Sequence, residues 1–320
     1  MTYSQGSVIL ASDFNGFLGP TSAGGTAGAN LYDIWGVGSG DKGWGQSTIS
    51  NPAAQSTVTA LQWSTLTNNL GTACTQTGVT PTARTTPTFG SVINILAGLN
   101  TDLTAVTTAR GNCSSVGSQV TSGGTSTPIA ELTNPAGWNM TFTQSITFAS
   151  AAQARYFWNA GGRAVITQSK TGTGTDKDPD WNAFVATVGT ISFVGRVNGA
   201  AQSIGGTTYT GTSVSGGSGT PTVATTTGWY SLTPGAAATQ IYSITDGVSP
   251  YTGDTITVSA AVNSGSTAIT FTTVWHDNGY SGAGQNNAVS AGGAVALSYF
   301  PPGTTLSNTW GTPTLTSSVA

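Results

Sequence analysis

Between Trp138 and Phe148 the chain alternates: Trp138, Met140, Phe142, Ile146 and Phe148 are apolar at every second position, and Gln144 is the polar interruption. Extended backbone sends successive side chains to opposite faces, so a period of two marks a half-buried β-strand. The same alternation recurs in Ile256, Val258, Ala260 and Val262, in Ile269, Phe271 and Trp275, and in Val295, Leu297 and Tyr299. Two of these runs flank the loop NSGST, which predicts a hairpin. Only AAQARYFWN and the set Trp181, Phe184, Val185 and Val188, at helical spacing, interrupt the pattern as short helices. Several strands with Gly-rich turns predict a mainly β chain, with a β-sandwich or jelly-roll-like domain over 135–320. The stretch 200–227, containing GGTTYTGTSVSGGSGTP, reads as a long exposed loop and a contact tip.

Upstream the period changes. Val58, Leu61, Leu66 and Leu70 follow loose helical spacing behind Ser56 or Thr57 as caps, and TGVTPTARTTPTFG ends the segment. Val92, Leu96, Leu99, Leu103 and Val106 then form a narrow apolar seam. Such a seam suits a short coiled coil between copies, or a helical hairpin packed on its own domain. Residues 51–134 therefore read as a helical, oligomerisation segment and linker. Residues 1–50 read as a small Gly-rich head in which the backbone turns around Trp35 and Trp44, a candidate docking surface.

Composition narrows the function. Charged residues are 6% of the chain, against about a quarter in an average soluble domain. Disordered chains are usually charge-rich and aromatic-poor, whereas this one has 9 Trp, 9 Tyr and 10 Phe, which need cores or interfaces. A surface of small polar residues lowers repulsion between identical copies. The net charge of -3 provides no basic stripe for nucleic acid. No apolar run approaches the roughly 18 residues of a membrane span, and MTYSQGSVIL lacks the basic start of a secretory signal.

Candidate chemistry is sparse. With one His, one Glu and no GxSxG elbow, the inventory for acid–base or nucleophilic catalysis is thin. His276 stands beside Asp277, which is able to orient it, but a structural loop histidine is the plainer reading. GSGDKG at 38–43 matches the dinucleotide fingerprint by letter only, without the flanking strand and helix. Asp176, Asp178 and Asp180 alternate as Ca²⁺ ligands do, yet lack the rest of an EF-hand loop; a solvated acidic turn is the alternative. Arg155 and Arg163 either pair with carboxylates of the DKDPD loop or stay solvated. No pair of facing carboxylates for glycoside hydrolysis stands out, and no cofactor is expected. Trp229, Tyr230 and Tyr251 are candidates for stacking on sugars. Cys74 and Cys113 either bridge neighbouring helices or remain two buried thiols.

QARYFWNAGGRAVIT at 153–167, preceded by WNMTFTQSITF and followed by DWNAFVATVGTISF, together with WGVGSGDKGWGQ and QGSVILASDFN near the start, resembles a family of structural proteins of tailed phages. The resemblance implies a non-enzymatic virion subunit of a tail, baseplate or fibre-like appendage. By analogy with such appendages it implies a homotrimer, neighbouring virion proteins as partners and a host-surface glycan as a possible contact. A glycan-binding jelly-roll module is the alternative.

Overall fold

A computed structural model describes residues 11–19, 30–53, 56–86, 88, 94–121, 125–126, 137–175, 177–248, 251–279 and 288–320. Four helices come first: α1 (Ala11–Leu18), α2 (Leu31–Ile34), α3 (Ala60–Thr77) and α4 (Leu96–Ala109). Strand β1 (Thr125–Ser126) follows, then β2 (Trp138–Thr147), helix α5 (Ala151–Asn159), β3 (Arg163–Lys170), helix α6 (Asp178–Thr187) and β4 (Thr190–Val194). The remaining strands are β5 (Gln202–Ile204), β6 (Thr207–Tyr209), β7 (Thr212–Ser215), β8 (Thr222–Val223), β9 (Thr239–Thr245), β10 (Thr255–Val262), β11 (Ala268–Asp277), β12 (Gly293–Phe300) and β13 (Thr314–Val319). The chain is mainly β, as the alternation requires.

One sheet runs β13-β2-β11-β10-β9-β8 and the other β1-β12-β3-β4-β7, with antiparallel pairing throughout. The inward row of β2 is Trp138, Met140, Phe142, Gln144 and Ile146, and that of β11 is Ile269, Phe271, Thr273 and Trp275. These rows meet the second sheet face to face, as Phe193 on Phe271 at 5.3 Å between ring centroids shows. Gln144, the interruption in the pattern, is buried, and its side-chain amide donates to the Val295 carbonyl of the opposite sheet at 2.6 Å. The polar residue is thus a strut between the layers, where an unbonded amide would be costly. α5 carries the chain from the first sheet to the second at one end of the sandwich. At the other end Trp181 of α6 lies between Trp138 and Trp275, at 4.8 and 5.6 Å.

The stretch 200–227 is ordered rather than a long loop. The β5–β6 hairpin turns through Gly205 and Gly206, both at positive φ, and with Cys113 and Val116 it covers Val194 of β4. Strand β7 then extends the second sheet.

The helical region also departs in register from its expectation. Thr59, not Ser56 or Thr57, caps α3, in a reciprocal capping box with Gln62. Its buried face is Trp63, Leu66, Leu70, Ala73 and Cys74, and Leu61 is 75% exposed. In α4, Leu96, Leu99, Leu103 and Val106 are all buried within this chain, packed with α3. The seam is closed internally, so its apolar side chains are not available to a second copy; Val92 lies outside the described residues. Asp102, buried on α4, accepts from the Thr82 N–H at 3.0 Å and pairs with Arg84, tying the Pro/Thr-rich connection down. Cys74 and Cys113 are both free and buried.

Candidate functional site

The α5 end of the sandwich carries a groove of about 390 Å³. One wall is a short 3-10 turn, Trp229–Ser231, followed by Leu232 and Pro234. The first turn of α5 supplies Ala151, Ala152 and Arg155; the β10–β11 hairpin supplies Val262 and Ser266, and Gly40 completes the rim. The volume falls within the roughly 300–1,000 Å³ usual for small-molecule sites.

The aromatic wall is pre-set by packing. Trp229 stacks on Trp158 with 5.4 Å between centroids and 19° between planes. Tyr230 donates its hydroxyl to Asn159 Oδ1 at 2.5 Å. Burial, then the charge of Asp41, pushes the Tyr230 phenol above its ordinary range, so it stays protonated and keeps that bond. Asn159 in turn donates from Nδ2 to the Gly43 carbonyl at 2.9 Å, and its own carbonyl receives the Trp44 indole N–H at 3.1 Å.

The head loop is therefore part of the groove's foundation. Gly43 and Gly45 have φ of +83° and +69°; a Cβ on Gly45 would run into the Tyr156 ring. Asp41 accepts two hydrogen bonds from Arg110, at 3.0 and 2.9 Å. Trp44, at 1% exposure, is a core residue and not a docking surface, because its indole is enclosed by α4 and α5. Trp35 is half-buried and donates its indole N–H to the Ser47 carbonyl at 2.8 Å.

Arg155 does not reach a carboxylate of the DKDPD loop. Its guanidinium donates to the Gly38 carbonyl at 3.2 Å, and it lies 5.2 Å from the Tyr156 ring centroid. Arg163 is likewise not paired there; it sits between Phe300 and Tyr209, at 4.3 and 4.8 Å from their ring centroids. Arg155 stands on α5 at the opposite end of the sandwich, and Arg163 opens β3 at the end away from Lys170, the β3 residue that does pair with Asp178 of α6.

The α6 end holds most of the buried charge. The inward row of β11 closes on Asp277, and Lys177 reaches it at 2.7 Å and Asp254 at 3.0 Å. All three are at most 1% exposed, and the ammonium also lies 4.5 Å from the Tyr251 ring centroid. Tyr251 is thus buried under Lys177, at the opposite end of β10 from Trp229 and Tyr230. The three aromatic candidates do not form one surface.

The alternate aspartates do not converge either. Asp178 opens α6, so Asp178 and Asp180 point about 200° apart around the helix. Asp178 accepts from Lys170 at 2.7 Å and from the Ser290 hydroxyl at 2.6 Å. Burial raises its pKa, but these hydrogen bonds more than offset that and hold it well below the carboxylate range. Asp180 meets Asp246; burial first, then the charges of Asp246 and Asp254, push its carboxyl up to about 7. Asp176 lies outside the described residues, among which no cluster of three His, Cys, Asp or Glu could hold a metal ion.

His276 and Asp277 are successive strand residues on opposite faces, so Asp277 cannot orient the imidazole. His276 Nδ1 instead contacts Asn139 Oδ1 at 2.7 Å. GSGDKG has no strand before it and no helix after it. Among the described residues no helix is long and apolar enough to cross a membrane. Comparison of the chain with protein-family models, with curated proteins and with solved structures finds no match.

Proposed function

We propose that this chain is a non-enzymatic structural subunit of a tailed-phage virion, in a tail, baseplate or fibre-like appendage, working by assembly with copies of itself and with neighbouring virion proteins. The observation that carries the reading is how the few charges are used. Lys42, Arg84, Arg110, Lys170 and Lys177 are all held by carboxylates of the same chain. What remains outside is mostly Ser, Thr, Gly and Asn, which lets identical surfaces approach with little electrostatic or desolvation cost. The motif resemblance supports the same reading. With the α4 seam used internally, a homotrimer would have to form over this uncharged exterior. Light scattering over a concentration series tests that step: the native mass should rise to a fixed multiple of the chain, with little response to salt. A mass equal to one chain at every concentration would remove self-association.

The groove favours a second reading that is compatible with the first, a sugar-binding surface. Tyr230, held in place by the buried Trp229 behind it, and Arg155 provide the apolar face and polar group that saccharides need. An array of bacterial envelope glycans tests it, and a blank array would remove it.

A further inference from the structure

We infer that the groove at the α5 end selects acidic sugars, with the carboxylate of one pyranose on Arg155 and the apolar face of that ring against Tyr230 and Leu232. This rests on the sugar-binding reading and adds the ligand class.

Most basic side chains of the described residues are already paired with carboxylates. Among the described residues, Arg155, Arg163 and Arg196 are the basic side chains without a carboxylate partner. Arg163 is enclosed by two aromatic rings, and Arg196 donates to the Thr226 carbonyl. Arg155 alone of the three lines the groove. Its single hydrogen bond, to Gly38, uses one Nη1 donor of a guanidinium that carries five N–H groups. The bond anchors the head and leaves donors for a planar, two-oxygen acceptor.

The surroundings keep that charge uncompensated. Arg155 is the one charged residue of the groove lining, and the neighbouring Arg110 and Asp41 pair with each other. The Asp41 carboxylate is itself held by Arg110 and by the Asn198 N–H. A groove whose one charged side chain is a cation is a local exception in a chain of net charge -3. It favours an anion, and a carboxylate fits the guanidinium fork.

The rest of the lining selects a sugar ring as the body of the ligand. Trp229 is buried with one face on Trp158 and backs Tyr230, whose half-buried ring is the aromatic surface turned to the groove. Because the Tyr230 hydroxyl is spent on Asn159, the wall offers ring surface without a competing polar demand. Leu232 and Pro234 extend the apolar contact, and Ser266 adds a hydroxyl at the rim. Pre-set aromatic walls lose little entropy on binding, which suits weakly polar ring faces.

The test is calorimetric titration of the full chain with oligogalacturonate and with its methyl ester, which keeps the ring and removes the charge. The expected result is binding of the acid, about tenfold weaker binding of the ester, and weakening of the acid with added salt. Arg155→Gln is expected to bring the acid down to the ester's level, and Arg155→Lys to restore part of the preference. Equal binding of acid and ester would overturn the acidic class while leaving the sugar-binding reading standing. An unchanged preference in a folded Arg155→Gln would overturn the placement at Arg155. No binding of either oligomer would overturn the inference, while a positive envelope array beside it would keep the broader reading.

Discussion

Trp44 and Asn159 hold each other across 115 residues of chain, the indole N–H of Trp44 donating to the Asn159 carbonyl at 3.1 Å. Around that bond the two most distinctive motifs of the sequence, WGVGSGDKGWGQ and QARYFWNAGG, become one structural unit. The glycines of the first admit the close approach, and the aromatics of the second fill the core beneath it. Asn159 is the hub, because its side-chain Nδ2 also donates to Gly43 and its side-chain Oδ1 accepts from Tyr230. Asn159→Ala should strand both partners at about 1–3 kcal/mol for each group. Urea denaturation should show a lower midpoint with an unchanged slope.

Lys177 neutralises two buried carboxylates, Asp254 just before β10 and Asp277 at the end of β11. Lys177→Met leaves Asp254 and Asp277 facing one another without a cation, a change expected to cost about 3–5 kcal/mol. Replacing all three with apolar residues should recover much of that loss, since the carboxylates would no longer need a counter-charge. Thermal melting of the single and triple variants checks both expectations.

Asp180 makes stability depend on pH in a definite direction. Folded, it keeps its proton up to about 7; unfolded, it releases it near 3.8. Between those values the native state binds more protons, so stability falls as the pH rises and this contribution is level above neutrality. Asp178, whose pKa is lowered, acts in the opposite sense and only below its ordinary value. Asp180→Asn should therefore flatten the decline between pH 4 and 7 in a series of melts, while leaving the acid limb in place.

The two thiols should be silent in the native protein. Burial pushes Cys74 up to about 11 and raises Cys113 as well, so neither presents a thiolate at neutral pH. A thiol-specific dye should label neither in buffer and both in urea, and a reductant should leave the melting temperature unchanged.

Leu103→Ala tests where the α4 seam is used. The side chain is 1% exposed inside this chain, so truncation should cost about 2–5 kcal/mol. The native mass by light scattering should not change, because the seam does not join copies.

What was legible in the sequence follows from what periodicity encodes. Strands β2, β10, β11 and β12 could be read because each buries one face, and α5 and α6 because their apolar residues recur at helical spacing. The α4 seam was visible, but its partner was not: a helix stripe fits an intramolecular neighbour and a second copy equally. The glycine-rich 200–227 stretch resembled a loop because β5 to β8 are too short to show alternation. Trp229 and Tyr230 were visible as aromatics. Arg155 reads in the sequence as either paired with a DKDPD carboxylate or solvated, because its actual partner, the Gly38 carbonyl, has no sequence signature. The Lys177–Asp277 pair spans 100 residues, and a sparse charge pattern cannot announce a contact of that range.

As a virion subunit, the role proposed for it above, this chain would be built into a particle. Quantitative mass spectrometry of purified virions from a phage that encodes it tests this most directly. The account predicts peptides from the chain in intact, density-banded particles at several copies per virion. Their absence from such particles, with the protein abundant in the remaining lysate, would contradict it.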